Sequence, residues 1–182
     1  MKERKGSVVE AAIRLATVAD VQQIAELQVE SWQQAYRGLM PDAFLAADQE
    51  PGKRAKQWAG RLSDPALQVL VAEAGPRLYG FCALCRSRDP DAAPDVGEIA
   101  AIYVHPLAWR KGYGSALLKA ARGLARERAF RLLTLWVLET NVAACAFYEA
   151  HGFHADGHRK DEPIHDGSLP HLRYATQLSE EQ

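Results

Sequence analysis

Apolar and polar residues follow two different periods along this chain, and the change of period separates a helical N-terminal part from a β-rich remainder. Apolar positions recur at helical spacing up to about Tyr36, which predicts a helix capped by Thr17 with Asp20 three residues later. Residues 11–16 are expected to form a strand before this helix. Shorter helices are predicted over 41–47 and 52–62.

Strand-like runs begin after Asp64-Pro65. Residues 67–74 and 78–86 alternate and flank a turn at Gly75-Pro76, which predicts a β-hairpin. The remaining expected elements are a loop over 88–97, a strand over 98–105, a helix over 112–128, a strand over 131–138, a helix from Asn141 to Gly152, and strands over 153–158 and 171–178, with 160–170 as the loop between these last two.

The order of these elements predicts an α+β fold with a mixed central sheet flanked by helices. At 182 residues the chain has the size of one domain and can bury a core without metals or disulfides. Residues 1–9 are charged and aperiodic, so we expect a flexible N-terminal segment followed by a single domain over 10–178.

Composition and charge narrow the classes of function. A net charge of −1 and a pI near 6.6 give no overall attraction to nucleic acid or to a membrane surface, so neither is expected as a partner. Three cysteines and a start without a positively charged apolar leader favour the cytoplasm. The apolar runs are too short for a transmembrane helix and read as buried strands.

The most informative segment, residues 104–118, is an apolar strand that breaks into a basic, glycine-containing turn and then into a helix. The first amides of a helix have no internal partner and lie at the positive end of its dipole, so this turn predicts a phosphate site. A P-loop is excluded because Ser115-Ala116 follow Gly114 where Lys-Ser/Thr is needed. A dinucleotide fingerprint is excluded because Leu117 is not small and no acidic residue follows about twenty positions later.

Two ordered motifs resemble the GCN5-related N-acetyltransferase (GNAT) family. The turn matches the family's Gln/Arg-x-x-Gly-x-Gly/Ala pattern at Gly112 and Gly114, while Trp109 replaces the Gln or Arg. The segment from Asn141 to Phe153 resembles the family's Asn-x-x-Ala-x-x-Phe-Tyr-x-x-x-Gly-Phe pattern. Two such motifs in order are far more specific than either alone, although the resemblance covers the N-terminal half only in outline.

The resemblance implies a GNAT-like, mostly antiparallel sheet, splayed between the strands at 98–105 and 131–138 to admit a pantetheine arm. It implies acetyl-CoA as the acyl donor, no metal, and direct attack by a primary amine in a ternary complex. The implied donor-binding residues are Trp109, Arg110, Lys111, Gly112, Tyr113, Gly114 and Ser115 around the diphosphate, the main chain of Ile102, Tyr103 and Val104 along the pantetheine, and Asn141, which is also a helix cap.

The resemblance also implies catalytic roles. Tyr148 stands at the family position whose phenol protonates the departing sulfur; the alternative is a core tyrosine. Glu98 is the best candidate for the base, directly or through water; it is otherwise a solvated carboxylate or a group that binds a cationic substrate while bulk water takes the proton. Trp32 and Tyr36, four residues apart, form either an acceptor slot or a core pair.

Other reactive side chains fit less well. Cys82 and Cys85 have C-x-x-C spacing in a strand and lack a second pair, which argues against redox or metal chemistry. Cys145 is better explained as a small core residue than as an acetyl-cysteine nucleophile. The histidines lack zinc-site spacing, so no metal is expected. His165 or His171 is a weaker candidate for the acceptor pocket, and Asp161, Glu162 and Asp166 either attract a cationic amine or solvate a loop.

The acceptor is expected to be a small-molecule or peptide amine, and its identity is left open because the fold does not determine it. The resemblance also leaves a homodimer open. The main alternative is a catalytically inactive domain that binds acyl-CoA as a sensor or interaction module. A weaker alternative is a nucleotide-binding protein.

Overall fold

A seven-stranded sheet organises the protein, and all neighbouring strands are antiparallel except one pair. The computed structural model describes residues 12–42, 45, 50–164 and 167–178. The strands are β1 (Ala12–Leu15), β2 (Gln68–Ala74), β3 (Arg77–Arg86), β4 (Val96–Val104), β5 (Leu132–Leu138), β6 (His154–Ile164) and β7 (Gly167–Gln177), and they lie in the order β1-β2-β3-β4-β5-β7-β6. Only β4 and β5 run parallel to each other.

Helices cover both faces of this sheet. They are α1 (Val21–Ala35), α2 (Pro51–Leu62), α3 (Tyr113–Glu127) and α4 (Val142–Ala150), with single 3₁₀ turns at Val18–Asp20 and Pro106–Ala108. The predicted α+β class, the first helix, the first hairpin and the helices after the glycine turn and Asn141 are confirmed. The helix predicted over 41–47 lies mostly outside the described residues, and so does the segment 1–9.

Each face of the sheet is sealed by its own hydrophobic cluster. On one face the apolar stripe of α3, including Leu117 and Leu118, packs on β2, β3 and β4. On the other face α1 and α2 pack on β2 and β3, where Trp58 is 1% exposed. These two helical layers are what the 3.6-residue period in the sequence requires, because each amphipathic helix buries one stripe.

The sheet opens between β4 and β5. Their parallel pairing runs from Val96↔Leu132 to Ile99↔Leu135 and ends there. Beyond Ile99, β4 stays paired with β3 while β5 stays paired with β7, so the two strands diverge. The predicted splay is confirmed, and it creates a gap in the middle of the sheet.

The prediction of a loop over 160–170 is wrong. This segment continues the last two strands as a long hairpin, with Lys160 opposite His171 and Pro163 opposite Ser168. Nearly every residue of β6 is exposed, so no apolar alternation marks it as a strand. Its charged residues and Pro163 are typical of an edge strand protected against pairing with other chains.

A buried carboxylate fixes the junction of β1 and α1. Asp20 accepts hydrogen bonds from Arg14 Nη1 at 2.7 Å and from the Thr17 main-chain N at 2.7 Å, and its side chain is 6% exposed. The Arg14 guanidinium holds the pKa of Asp20 below its ordinary 3.8, at about 2. This is the capping pair that the spacing of Thr17 and Asp20 predicts.

We therefore expect Asp20→Asn to lower the free energy of unfolding by about 1–3 kcal/mol at neutral pH. Since the pKa is lowered on folding, the contribution is complete above about pH 4 and is lost as the pH falls through about 2. Urea unfolding followed by circular dichroism at several pH values measures it. Glu26→Gln, at an exposed position of α1, is the control, and a pH-independent difference for Asp20→Asn would contradict the assignment.

Candidate functional site

The basic turn between β4 and α3 has the geometry of an anion site. Arg110 and Gly112 both have positive φ, at 60° and 89°, which turns the chain sharply ahead of the helix. The first helical hydrogen bond runs from Ala116 N to Gly112 O at 2.9 Å. The N–H groups just before Ala116 therefore have no intrahelical acceptor, and the exposed side chains of Arg110 and Lys111 lie beside them.

The two sequence motifs touch each other. A Cβ added to Gly114 would lie 3.0 Å from Cζ of Phe147, so a larger residue there would push α4 away from the start of α3. His151 Nδ1 lies 2.7 Å from the Phe147 carbonyl oxygen, and its Nε2 lies 2.9 Å from Ser115 Oγ. Because Nδ1 must donate to that carbonyl, Nε2 accepts the Ser115 hydroxyl, which leaves the Ser115 main-chain N–H for a ligand.

Two polar contacts brace the entrance of the turn. His105 is buried, accepts the Leu107 N–H at Nδ1 over 3.1 Å and lies 2.6 Å from Glu30 through Nε2. Trp109, which is 42% exposed, donates its indole N–H to the Val104 carbonyl at 2.7 Å. Trp109 thus stabilises the bend through β4, a contact that its position in the motif did not indicate.

Glu98 lies on β4 opposite Thr134 of β5, just before the pairing of these strands ends, and it is 2% exposed. Its Oε2 accepts hydrogen bonds from the Arg88 main-chain N at 2.9 Å and from Arg88 Nε at 3.3 Å, and Oε1 accepts one from Arg88 Nη2. Each carboxylate oxygen has two lone pairs, so Oε1 keeps capacity for one more donor. The alternative of a solvated strand-end carboxylate is therefore wrong.

Three phenols converge on the gap from both faces of the sheet. Tyr148 lies in the cluster under α3, Tyr36 lies at the end of α1, and Tyr103 lies on β4. Tyr36 and Tyr103 share a hydrogen bond, and the ionisation of Tyr148 is coupled to Tyr36. Burial raises the pKa of all three phenols, most strongly for Tyr103 and Tyr148, so each keeps its proton at neutral pH.

A cavity of about 360 Å³ opens beside these phenols on the α1 side of the sheet. Its walls combine aromatic, charged and apolar side chains, namely Trp32, Tyr36, Tyr103 and Trp136, then Arg61, Arg88, Glu98, Lys160, Glu162 and His171, and finally Met40, Ile99, Ala100 and Leu169. A cavity of this size with a few polar groups suits a small molecule.

The structure brings together several residues that the sequence singled out separately. The rings of Trp32 and Tyr36 pack in a tilted arrangement with centroids 4.4 Å apart and line the cavity, where they also contact a small apolar cluster. His171 and Glu162 line it too, whereas Asp161 does not. His165 and Asp166 lie outside the described residues.

Among the charged and aromatic residues of the cavity wall, the sequence did not single out Arg61, Arg88 or Trp136, and it placed Lys160 only within the loop expected over 160–170. Arg88 lies in a segment that looked like a surface loop, and Lys160 lies in the strand mistaken for a loop. Trp136 carries a usable signal, because it alternates with the core residues Leu135 and Val137 and therefore faces the other side of β5.

The cysteines are poor nucleophiles. Burial raises the pKa of Cys82 to about 12 and also raises the pKa of Cys145. Since the thiolate is the reactive form, neither side chain is activated near neutral pH. Asn141 Oδ1 accepts the Ala144 N–H at 3.2 Å, which confirms it as the cap of α4.

Within the described part of the chain, no group of three or more His, Cys, Asp or Glu side chains is arranged to hold a metal ion. No described helix is both long and apolar enough to cross a membrane.

Comparison with known proteins gives consistent matches. The model of the acetyltransferase (GNAT) family matches residues 21–153. A probable N-acetyltransferase of Mycobacterium tuberculosis is 28% identical over 169 residues, which span 89% of this chain and 91% of that protein. An uncharacterized N-acetyltransferase of Bacillus subtilis is 30% identical over 142 residues, 76% of this chain and 78% of its own.

Solved structures share the fold. The PaiA N-acetyltransferase of Thermoplasma acidophilum, in complex with coenzyme A, superimposes with a TM-score of 0.73 at 19% identity over 92% of this chain and 99% of that chain. A ribosomal-protein-alanine N-acetyltransferase of Brucella melitensis gives 0.71 at 23% identity, over 91% and 99% of the two chains.

Proposed function

Because the chain belongs to the acetyltransferase (GNAT) family, we propose that it transfers an acetyl group from acetyl-CoA to a primary amine by direct attack in a ternary complex. One observation carries this proposal: a turn with free N–H groups and a cavity lined by protonated phenols meet at one gap in the sheet. The turn suits the donor and the cavity suits the acceptor, so the two substrates meet without a covalent enzyme intermediate.

The donor is held mainly by main chain. The N–H groups of Gly112 to Ser115, together with Arg110 and Lys111, bind the diphosphate. The pantetheine arm enters the gap and pairs with β4 at Ile102 and Tyr103, as an added strand would. A main-chain N–H there polarises the thioester carbonyl as negative charge develops on its oxygen. The coenzyme A complex of the Thermoplasma acidophilum relative supports this assignment.

Tyr148 acts as the general acid. The neutral amine nitrogen bonds to the thioester carbon, and the positively charged nitrogen of the adduct then loses its extra proton to water. The C–S bond breaks, and the phenol proton passes to the leaving sulfur. Burial raises the pKa of Tyr148, so the phenol stays protonated until the thiolate forms. Its place on α4, under the gap, puts it on the donor side of the sheet.

Glu98 accepts the proton that the substrate ammonium loses, directly or through one water molecule. Oε1 takes it, because Oε2 already accepts two hydrogen bonds from Arg88. Burial in the cavity wall disfavours the charge of the Glu98 carboxylate, and the ion pair with Arg88 offsets this cost. Exchange with solvent restores both Tyr148 and Glu98 after each turnover.

The proposal predicts thiol release from acetyl-CoA that depends on an added amine. We expect purified protein to release thiol with at least one member of a panel of amines, and mass spectrometry to find the acetyl group on that amine. The alternative of an inactive sensor predicts CoA binding in calorimetry without any amine-dependent release. A nucleotide-binding protein would let ATP compete effectively with CoA.

Tyr148→Phe is expected to lower kcat by about 10²-fold while changing the dissociation constant of CoA by less than about twofold. The reason is that the phenol stabilises the leaving thiolate and not the bound donor. Tyr174→Phe is the matched control, since Tyr174 is also buried but its hydroxyl donates to Glu149. Unchanged turnover in Tyr148→Phe would remove this residue from the mechanism.

Glu98→Gln is expected to lower kcat/KM by about 10²-fold at neutral pH, with a deficit that shrinks as the pH rises toward the amine pKa of about 10. The reason is that a larger fraction of the free amine is already neutral at high pH, so its reaction needs no general base. Arg88→Met breaks the same ion pair but keeps the carboxylate, so its deficit should not shrink in this way. Identical pH profiles for both variants would mean that Glu98 is only structural.

A further inference from the structure

The cavity carries more positive than negative charge. Arg61, Arg88 and Lys160 line it, against the carboxylates of Glu98 and Glu162. Glu98 is already engaged by Arg88, so this pair contributes almost no net field to a ligand. The charges that remain for an acceptor are those of Arg61, Lys160 and Glu162, and they sum to a positive value.

Lys160 is held at a defined place on one wall. Its Nζ lies 4.2 Å from the ring centroid of Trp136. The indole is itself fixed, because Trp136 Nε1 donates to Asp89 at 3.0 Å and Asp89 accepts from Arg173 at 2.9 Å. The side chains of Arg173 and Asp89 are 11% and 14% exposed, so the hydrogen bonds that hold the indole are mostly buried. The ammonium of Lys160, which is an exposed residue, therefore rests on an aromatic platform, the Trp136 ring, that is itself held in place.

His171 lies beside this platform. It is the cross-strand partner of Lys160, and both side chains line the cavity. His171 Nε2 lies 3.8 Å from Glu162 Oε2, and the Glu162 side chain is 60% exposed. Solvent therefore screens the charge of Glu162 more than it would screen a buried carboxylate.

The other walls are apolar. The packed rings of Trp32 and Tyr36 face a cavity whose other walls include Met40 and Leu169. Binding an acceptor whose apolar side chain is buried against these walls is therefore energetically favourable. An acceptor that fits all walls has an amine for Glu98, an anionic group for Lys160, and an apolar body.

Resting on the proposed function, we propose that the acceptor is a free amino acid with an apolar or aromatic side chain, whose carboxylate pairs with Lys160 and Arg61. A polyamine would bring several positive charges into a cavity that is already cationic. A carboxylate instead completes the charge balance and orients the amine toward the gap.

The test compares amino acids with their decarboxylated amines: L-phenylalanine with phenethylamine, L-tryptophan with tryptamine, and L-leucine with isoamylamine. For the wild type, kcat/KM per neutral amine should be at least about tenfold higher for the amino acid of each pair. Lys160→Met keeps most of the length of the side chain over Trp136 but removes its charge. It should lower this preference by about tenfold, through slower use of the amino acids.

Lys119→Met, at an exposed position of α3 on the opposite face of the sheet, is the control and should keep the wild-type preference. Equal use of the two members of each pair, or the same preference in Lys160→Met as in the wild type, would overturn the amino-acid assignment while acetyl transfer stands. Absence of thiol release with every acceptor would overturn acetyl transfer as well.

Discussion

The loss of pairing between β4 and β5 is the constraint on which the rest of the site depends. Up to Ile99 and Leu135 the two strands satisfy each other's main-chain groups, and beyond these residues they do not. Unpaired main-chain groups inside a protein cost about 1–3 kcal/mol each unless water or a ligand satisfies them. The gap therefore holds a strip of main chain that is ready for an extended ligand, and the phenols of Tyr36 and Tyr148 can reach it from opposite faces.

A direct contact explains why two short motifs were so informative. Gly114 belongs to the first motif and Phe147 to the second. Because Gly114 has no Cβ, the Phe147 ring can approach its main chain closely. The contact places α4 against the first turn of α3, which brings Tyr148 beside the gap. A substitution at either position would shift Tyr148 relative to the turn at Gly112. The two motifs therefore form one structural unit.

Sequence patterns within a few residues predicted the fold and the candidate turn for the acetyl donor. The walls of the cavity depend on contacts between residues that are far apart in the sequence. Helical spacing, the cap at Asn141 and the glycine turn all act within a few residues, and each of them was predictable. Trp32 and Tyr36 of the acceptor cavity were also predictable, but its charged wall was not, because Arg61, Arg88 and Lys160 come from three distant segments. The hairpin of β6 was missed for a physical reason: an exposed edge strand buries nothing, so it leaves no apolar pattern.

The loop after β3 links the chemistry of the site to the shape of its cavity. Arg88 contacts Glu98, while the next residue, Asp89, accepts a hydrogen bond from Trp136 and another from Arg173 on β7. Two adjacent residues of one loop thus position both the candidate base and the aromatic ring that Lys160 contacts.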